Sequence, residues 1–341
     1  ELVVTATKRE ASLQDVPIAV SAFDNTQLRN ASVDDIKEIM SLSASFQSTS
    51  NVNETQATVI RLRGIGTESS NPGFESAVGV FIDGVYRARP GIALSEFLDV
   101  ERVEVLRGPQ GTLFGRNTSA GALNIVTAGP EMDFGGYAEA TYGNFDQMDF
   151  RGSITGPIVQ DILAVRFSAV YNERDEGFVE DLLSGEELNT KERYFLKGQV
   201  LFTPTDDIDL RIIGDYRETD DNCCFPVTLG LGLASGSPVV GQGPKIINGT
   251  VPASTVPVGI LGPFAGTGPM LPLGIQLTGG AYNRIGTKTL GLGNEQEVED
   301  WGISAELNWD LGFATFTSVT GYRDFESFNS KDIDFTTADL L

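Results

Sequence analysis

From Gly135 onward, apolar and polar residues alternate with a period of two over long runs. Seven such runs read as strands: Gly135–Asn144, Asp146–Thr155, Ile162–Arg174, Thr190–Thr203, Asp207–Thr219, Gln296–Trp309 and Gly312–Phe325. Each reaches the roughly 9 to 11 residues that a tilted membrane strand needs. In the second, Met148, Phe150, Gly152 and Ile154 oppose Asp149, Arg151, Ser153 and Thr155. In the fourth, Tyr194, Leu196, Gly198, Val200 and Phe202 oppose Arg193, Lys197 and Gln199. The sixth sets Trp301, Ile303, Ala305, Leu307 and Trp309 against Ser304, Glu306 and Asn308, with a tryptophan at each end, as in an interfacial girdle. The seventh does not declare its lipid face.

The connections alternate in length. Thr155 to Asp161, Pro204 to Asp206 and Asp310-Leu311 are short. Between them lie the acidic segment Asp175–Asn189 and the very long Asp220–Glu295, with Asn144 to Asp146 the one short link on that side. Short turns on one rim and long loops on the other fit a membrane barrel, and a soluble sandwich predicts no such asymmetry. An open sheet in lipid would leave edge backbone groups unpaired at several kcal/mol each. The chain therefore reads as the N-terminal part of a longer protein, with Thr336–Leu341 the start of a loop.

Residues 1 to 128 have a different texture, that of one small α+β domain. Gln14–Phe23 alternates as a strand, and Asp24 or Asn25 can cap a short helix through Asn30. Ser32 is the expected N-cap of a second helix to Met40, with Val33, Ile36, Ile39 and Met40 as its apolar face. Ala57–Gly66 carries Val59, Ile60, Leu62 and Ile65 around Arg61 and Arg63. Val78–Tyr86 reads as a hairpin turning at Asp83-Gly84, and Leu94–Leu98 as a brief helix.

The segment Val103–Thr127 organises this domain. An alternating strand breaks at Arg107-Gly108-Pro109. Gly108, Gly111, Gly115 and Gly121 then permit left-handed or close backbone approaches, and Leu123-Asn124-Ile125-Val126 resumes a strand. Leu113 and Phe114 mark the loop as a packed turn. No Gly-Lys-Ser/Thr follows, so it is not a phosphate-cradling loop. The run Leu-Arg-Gly-Pro-Gln-Gly-Thr-Leu-Phe-Gly-Arg-Asn, residues 106–117, closely resembles the plug-domain signature of TonB-dependent outer-membrane transporters. Gly108, Pro109, Gly111, Gly115, Asn117 and Gly121 are the signature positions.

The resemblance implies an α+β plug domain followed by antiparallel transmembrane β-barrel strands, here an incomplete barrel of about 7 out of about 22. On that reading, residues 1–8 are a TonB-box-like segment, 9–128 the plug, and 129–341 the leading barrel wall with a long extracellular loop over about 220–295. The first residues are β-prone. They are either an edge-strand tail or a segment that adds itself to a partner's sheet. In the family the TonB box often reads very like Glu-Leu-Val-Val-Thr-Ala, so Leu2, Val3, Val4, Thr5 and Ala6 are the TonB-binding candidates. Arg63 and Arg107, with Arg61 and Arg116, resemble the plug arginines that pair with barrel glutamates; their partners are expected beyond Leu341.

Implied function is active uptake of a scarce ligand, an iron-siderophore or similar complex, across the outer membrane of a Gram-negative bacterium. The N-terminus would be periplasmic, and the partners TonB with ExbB and ExbD, together with outer-membrane lipid and lipopolysaccharide. Cobalamin, heme, carbohydrate and plant-derived aromatics are alternative cargoes, and a passive porin is a rival that would need no plug. The implied protein is not an enzyme and carries no cofactor and no metal.

Composition narrows the field without changing it. A net charge of -23 argues against a nucleic-acid partner, and the absence of histidine excludes imidazole–zinc sites and Ser-His-Asp chemistry. Abundant carboxylates in such a chain read as solvated faces. No apolar run is long enough for a membrane helix, which leaves a barrel open. Cys223-Cys224 can be a vicinal disulfide or two free thiols. The Gly- and Pro-punctuated segment beyond it is either a loop folded over the barrel mouth or a cover that touches substrate.

Overall fold

The computed structural model of the chain describes residues 3–9, 11–33, 35–50, 58–67, 75–89, 91, 98–181, 186–222, 285–286 and 295–330. Leu2, the brief helix expected before Leu98, Cys223-Cys224 and almost all of the long loop lie outside the described residues.

The amino-terminal third forms strands β1 (Val3–Val4), β2 (Ala11–Ser12) and β3 (Val20–Asp24), then helix α1 (Asn25–Asn30) and a 3-10 turn over Ile36–Ser41. Strands β4 (Phe46–Ser50), β5 (Thr58–Leu62), β6 (Val78–Ile82), β7 (Val85–Arg87) and β8 (Val100–Arg107) follow, then the single turn α2 (Gly111–Phe114) and β9 (Gly121–Thr127). Asp24 caps α1 in a full capping box with Gln27, as its position suggests. The second helix starts later than Ser32. Asp35 is its N-cap and Glu38 closes the box, because Ser32 adopts a positive φ of 52° and cannot cap from there. Val33, Ile36 and Ile39 are buried as expected, whereas Met40 points outward at 43 % exposure. A 3-10 turn advances each residue farther round the axis than an α-helix does, which carries Met40 off the apolar stripe.

Five strands make the central sheet in the order β3-β8-β9-β6-β7, with β6 and β9 parallel. One face packs Val78, Val80, Val103, Val105, Leu123 and Ile125 against Ile36, Ile39, Phe46 and Ile60. Asp83 (φ 48°) and Gly84 (φ 78°) both take positive φ, which is the two-residue hairpin turn their dipeptide announces. Gly121 is more constrained. At φ 150° a β-carbon there would collide with the Leu106 carbonyl oxygen and with Leu62 Cδ1. Gly121→Ala is expected to lower the stability of this domain by about 2 kcal/mol or more. Its thermal midpoint tests that, and an unchanged midpoint refutes it.

The second part is one antiparallel sheet of β10 (Gly135–Tyr142), β11 (Gln147–Val159), β12 (Leu163–Arg174), β15 (Thr190–Thr205), β16 (Ile208–Asn222), β18 (Glu295–Asp310) and β19 (Thr315–Asn329), paired in chain order. These are the seven alternating runs of the sequence. Three small strands, β13 (Val179–Asp181), β14 (Glu187–Leu188) and β17 (Ile285–Gly286), form a separate patch above β12 and β15. The sheet curves round the first domain. Its inward face is polar, and its outward face carries Phe150, Ile154, Phe167, Leu196, Trp301, Ile303 and Trp309 at 40 to 54 % exposure. The register settles β19. Gly321 pairs with Ser304 and lies against Val85 of the first domain, so odd positions face inward and Phe316, Tyr322 and Phe328 face out.

Candidate functional site

The face of the central sheet opposite its main core carries Phe81, Leu106 and Ala122, apolar surface that needs cover, with Glu104 of β8 among them. The N-terminal segment covers it. Strand β1 pairs antiparallel with β2, Val3 opposite Ser12 and Val4 opposite Ala11. Val4 and Ala6 are fully buried in a cluster with Ala22, Phe81, Leu106, Phe114 and Ala122. Thr5 donates its backbone N–H to Glu104 Oε1 at 2.8 Å and its hydroxyl to the same atom at 3.2 Å. Glu104 is wholly buried and also accepts from Arg102 Nε at 2.9 Å and Asn124 Nδ2 at 3.1 Å. A buried carboxylate needs such partners, and four donors converge on it.

Three residues on, Lys8 Nζ lies 4.1 Å from the centroid of Phe114 and 5.2 Å from that of Phe81. Burial holds the Lys8 ammonium below its ordinary value, against the pull of Glu104 and Glu306. Phe114 belongs to the glycine-rich signature, and Asn117 of the same loop donates to Tyr86 at 2.8 Å. The candidate box is thus no free tail. It is a strand docked on the signature loop and on β8.

The second functional surface is the contact between the first domain and the sheet. At the hairpin tip, Lys197 Nζ meets Asp83 Oδ2 at 2.6 Å, both groups fully enclosed. Thr127 donates to Asp83 from N–H (2.9 Å) and hydroxyl (2.8 Å), and Arg211 stands 3.7 Å away. Burial pushes the Asp83 carboxyl up, but Lys197 and Arg211 outweigh it and bring it down to about 2. Below the tip, Asp99 takes a bidentate pair from Arg166 and hydroxyl bonds from Ser153 (2.7 Å) and Ser168 (2.8 Å). Burial raises the Asp99 carboxyl, and these four donors more than reverse it. A third contact joins Arg87 to Asp215 at 3.8 Å, and Arg323 ties Asp215 (2.8 Å) to Asp300 (2.5 Å).

The four arginines singled out from sequence do not make these contacts. Arg107 donates to the Ala19 and Val20 carbonyls of its own domain, and Arg61 to Thr49. Arg116 forms an exposed pair with Glu75 at 3.4 Å. Arg63 sits exposed in a turn with φ 53°. Instead, two of the three buried contacts have the reverse polarity, acid on the inner domain and base on the sheet. Asp83 was legible as a turn residue and Lys197 as an inward polar position, but nothing in the sequence joins them across 114 residues. Among signature positions, Gly108, Gly115 and Asn117 take positive φ, while Gly111 opens the helical turn and Pro109 precedes it.

Against this geometry, the family model for the TonB-dependent Receptor Plug Domain matches residues 12–122. Residues 12–122 are thus similar to the plug domain of TonB-dependent receptors. The pesticin receptor of Yersinia pestis is 35% identical over 118 residues, which is 35% of this chain and 17% of that protein. The catecholate siderophore receptor Fiu of Escherichia coli K12 is 27% identical over 170 residues, 50% of this chain and 20% of that protein. This chain therefore aligns with about a fifth of the length of such curated relatives. In fold it is similar to the ferric yersiniabactin uptake receptor FyuA from Yersinia pestis, with a TM-score of 0.67 at 17% identity over 91% of this chain and 41% of that one. It is also similar to FpvAI in its complex with pyocin S2, with a TM-score of 0.65 at 15% identity over 94% and 35%. The first domain thus corresponds to the plug of these proteins, and the seven-stranded sheet has the fold of their leading barrel wall, with its apolar face outward.

Proposed function

We propose that this receptor takes up a ferric siderophore, and that TonB drives uptake by pairing with Val3–Ala6 once that strand leaves its dock. The observation that carries the reading is the state of the segment itself. It is a β-strand with alternating buried side chains, held by one short strand partner and by Thr5 on Glu104. Two residues of pairing are a weak hold, and a longer augmenting strand from a partner would outcompete them through its main-chain hydrogen bonds. The siderophore assignment is supported by the kinship with the pesticin and catecholate receptors.

Val4→Pro tests the reading. Proline removes a backbone donor and fixes φ, so an added strand cannot form across it. Uptake of ferric siderophore by cells producing the variant should fall about 100-fold, while siderophore binding at the cell surface stays unchanged. Undiminished uptake refutes the assignment of the segment. Loss of surface binding would place the defect in folding, and Val3→Pro, at a half-exposed position, then serves in its place.

A further inference from the structure

The docked N-terminal strand runs into a residue under strain. Past Ala6 the chain turns back, and the Lys8 N–H donates to the Thr5 carbonyl at 2.8 Å. Lys8 itself takes a φ of 60°, in the left-handed region that a long side chain rarely occupies. Glycine or asparagine would sit there at less cost. A backbone held in that region persists only where its surroundings fix it.

What fixes Lys8 is its own side chain. The ammonium stands over the Phe114 ring at 4.1 Å and reaches the Phe81 ring at 5.2 Å. Those rings meet edge to face with centroids 5.0 Å apart, and so form one aromatic corner. Phe81 leans in turn on Tyr86 at 5.6 Å, its partner across the β6–β7 hairpin, and Tyr86 accepts the Asn117 amide. Phe114 closes the turn α2, and Asn117 belongs to the same glycine-rich loop. The ammonium therefore touches the signature loop and the hairpin at once. Glu104 and Glu306 also attract the charge, so ring contact and charge have to be separated by experiment.

We propose that Lys8 is the latch of the docked strand. Its ammonium, seated on Phe114 and Phe81, holds closed a turn whose backbone favours opening, and displacement of Phe114 frees Val3–Ala6. This latch rests on reading Val3–Ala6 as a strand that undocks, and is independent of which partner takes it up. While the loop keeps Phe114 in place, the strand stays down. Once the ring moves, the strained turn relaxes and the strand lifts. Lys8 is thus a positioning residue that acts through the strand it holds.

The test is amide exchange at Thr5, whose N–H is bonded to Glu104, in the full-length receptor in detergent. Lys8→Met keeps the apolar stem without the charge. It should accelerate exchange about tenfold, the size that a partly desolvated cation–ring contact gives. Lys8→Arg should stay within about twofold of the unmodified protein, because a guanidinium also rests on aromatic faces. Lys8→Gly removes latch and strain together, so its acceleration should be only about threefold. Phe114→Leu should match Lys8→Met, and the two changes combined should add little to either. Protection at Val103, Val105 and Leu123 reports that the plug remains folded. Should Phe114→Leu lower that protection, the order Lys8→Arg, Lys8→Gly, Lys8→Met decides without it. An unchanged rate in Lys8→Met overturns the latch, as does Lys8→Arg or Lys8→Gly exchanging as fast as Lys8→Met. Acceleration of about a hundredfold in the combined variant also overturns it, since the two side chains would then act apart. Lys8→Met without effect, alongside lost uptake in Val4→Pro, would remove the latch and leave the TonB reading standing.

Discussion

Replacing Lys197 with methionine will weaken plug docking by about 3–5 kcal/mol, the largest effect expected of any single change on the wall. The cause is the carboxylate left behind. Asp83 is enclosed on all sides, and Lys197 is its closest cation at 2.6 Å. Adding Asp83→Asn should recover most of the loss, since asparagine tolerates the positive φ of 48° and brings no charge. The measurement is the urea concentration at which the plug becomes sensitive to protease in the folded receptor. A shift worth less than about 0.5 kcal/mol for the single change would show that the pair does not hold the plug.

The same pair fixes a pH dependence. The Asp83 carboxyl is depressed from 3.8 to about 2 in the docked plug. Its contribution is therefore complete above pH 4 and fades as pH falls toward 2. The Lys197→Met, Asp83→Asn receptor should lose plug protection with a flatter profile across that window.

Glu104→Ala carries the second large effect, and it acts at the other end of the plug. The change strips the acceptor from Thr5, Arg102 and Asn124 together. Arg102 keeps its pair with Glu101 at 2.5 Å, so the penalty falls mainly on the N-terminal strand. Amide exchange at Val4 and Thr5 should accelerate about 100-fold, corresponding to about 2.7 kcal/mol of lost docking. The plug core at Val103, Val105 and Leu123 should keep its protection. If Val4 and Thr5 stay protected while the core is intact, Glu104 does not hold the strand. Glu104→Gln separates charge from shape, because it preserves an acceptor for Thr5 and should give an intermediate rate.

These two sites differ in how far the sequence announces them. Strands β11, β15 and β18 declare themselves through period-two alternation, since each faces lipid on one side and a polar lumen on the other. The hairpin at Asp83-Gly84 declares itself because few dipeptides accept two positive φ values in succession. Glu104 is different. In the alternation of β8 it reads as a solvated position opposite Val103 and Val105. Only the N-terminal strand, 99 residues earlier in the chain, makes it a buried one. The wall contacts are hidden for the same reason, since Asp99 and Arg166 meet through tertiary closure. The arginines to which the resemblance points, Arg61, Arg63, Arg107 and Arg116, are expected to meet partners beyond Leu341, whereas the described strands meet the plug through Asp83–Lys197, Asp99–Arg166, Arg87–Asp215 and the exposed Arg29–Glu139. The second helix starts at Asp35 and not at Ser32 because Ser32 takes a positive φ of 52°, a local choice that no propensity scale registers.

The outward tryptophans of β18 carry a consequence for where this receptor can reside. Trp301 and Trp309 are eight residues apart, about 26 Å of extended strand and about 20 Å along the bilayer normal at a tilt near 40°. Glu299 and Glu297 stand immediately above the first of them and forbid a taller apolar band. Such a short hydrocarbon span suits the thin outer membrane and would strain a thicker bilayer, so thickness alone helps to keep the protein in its proper envelope layer.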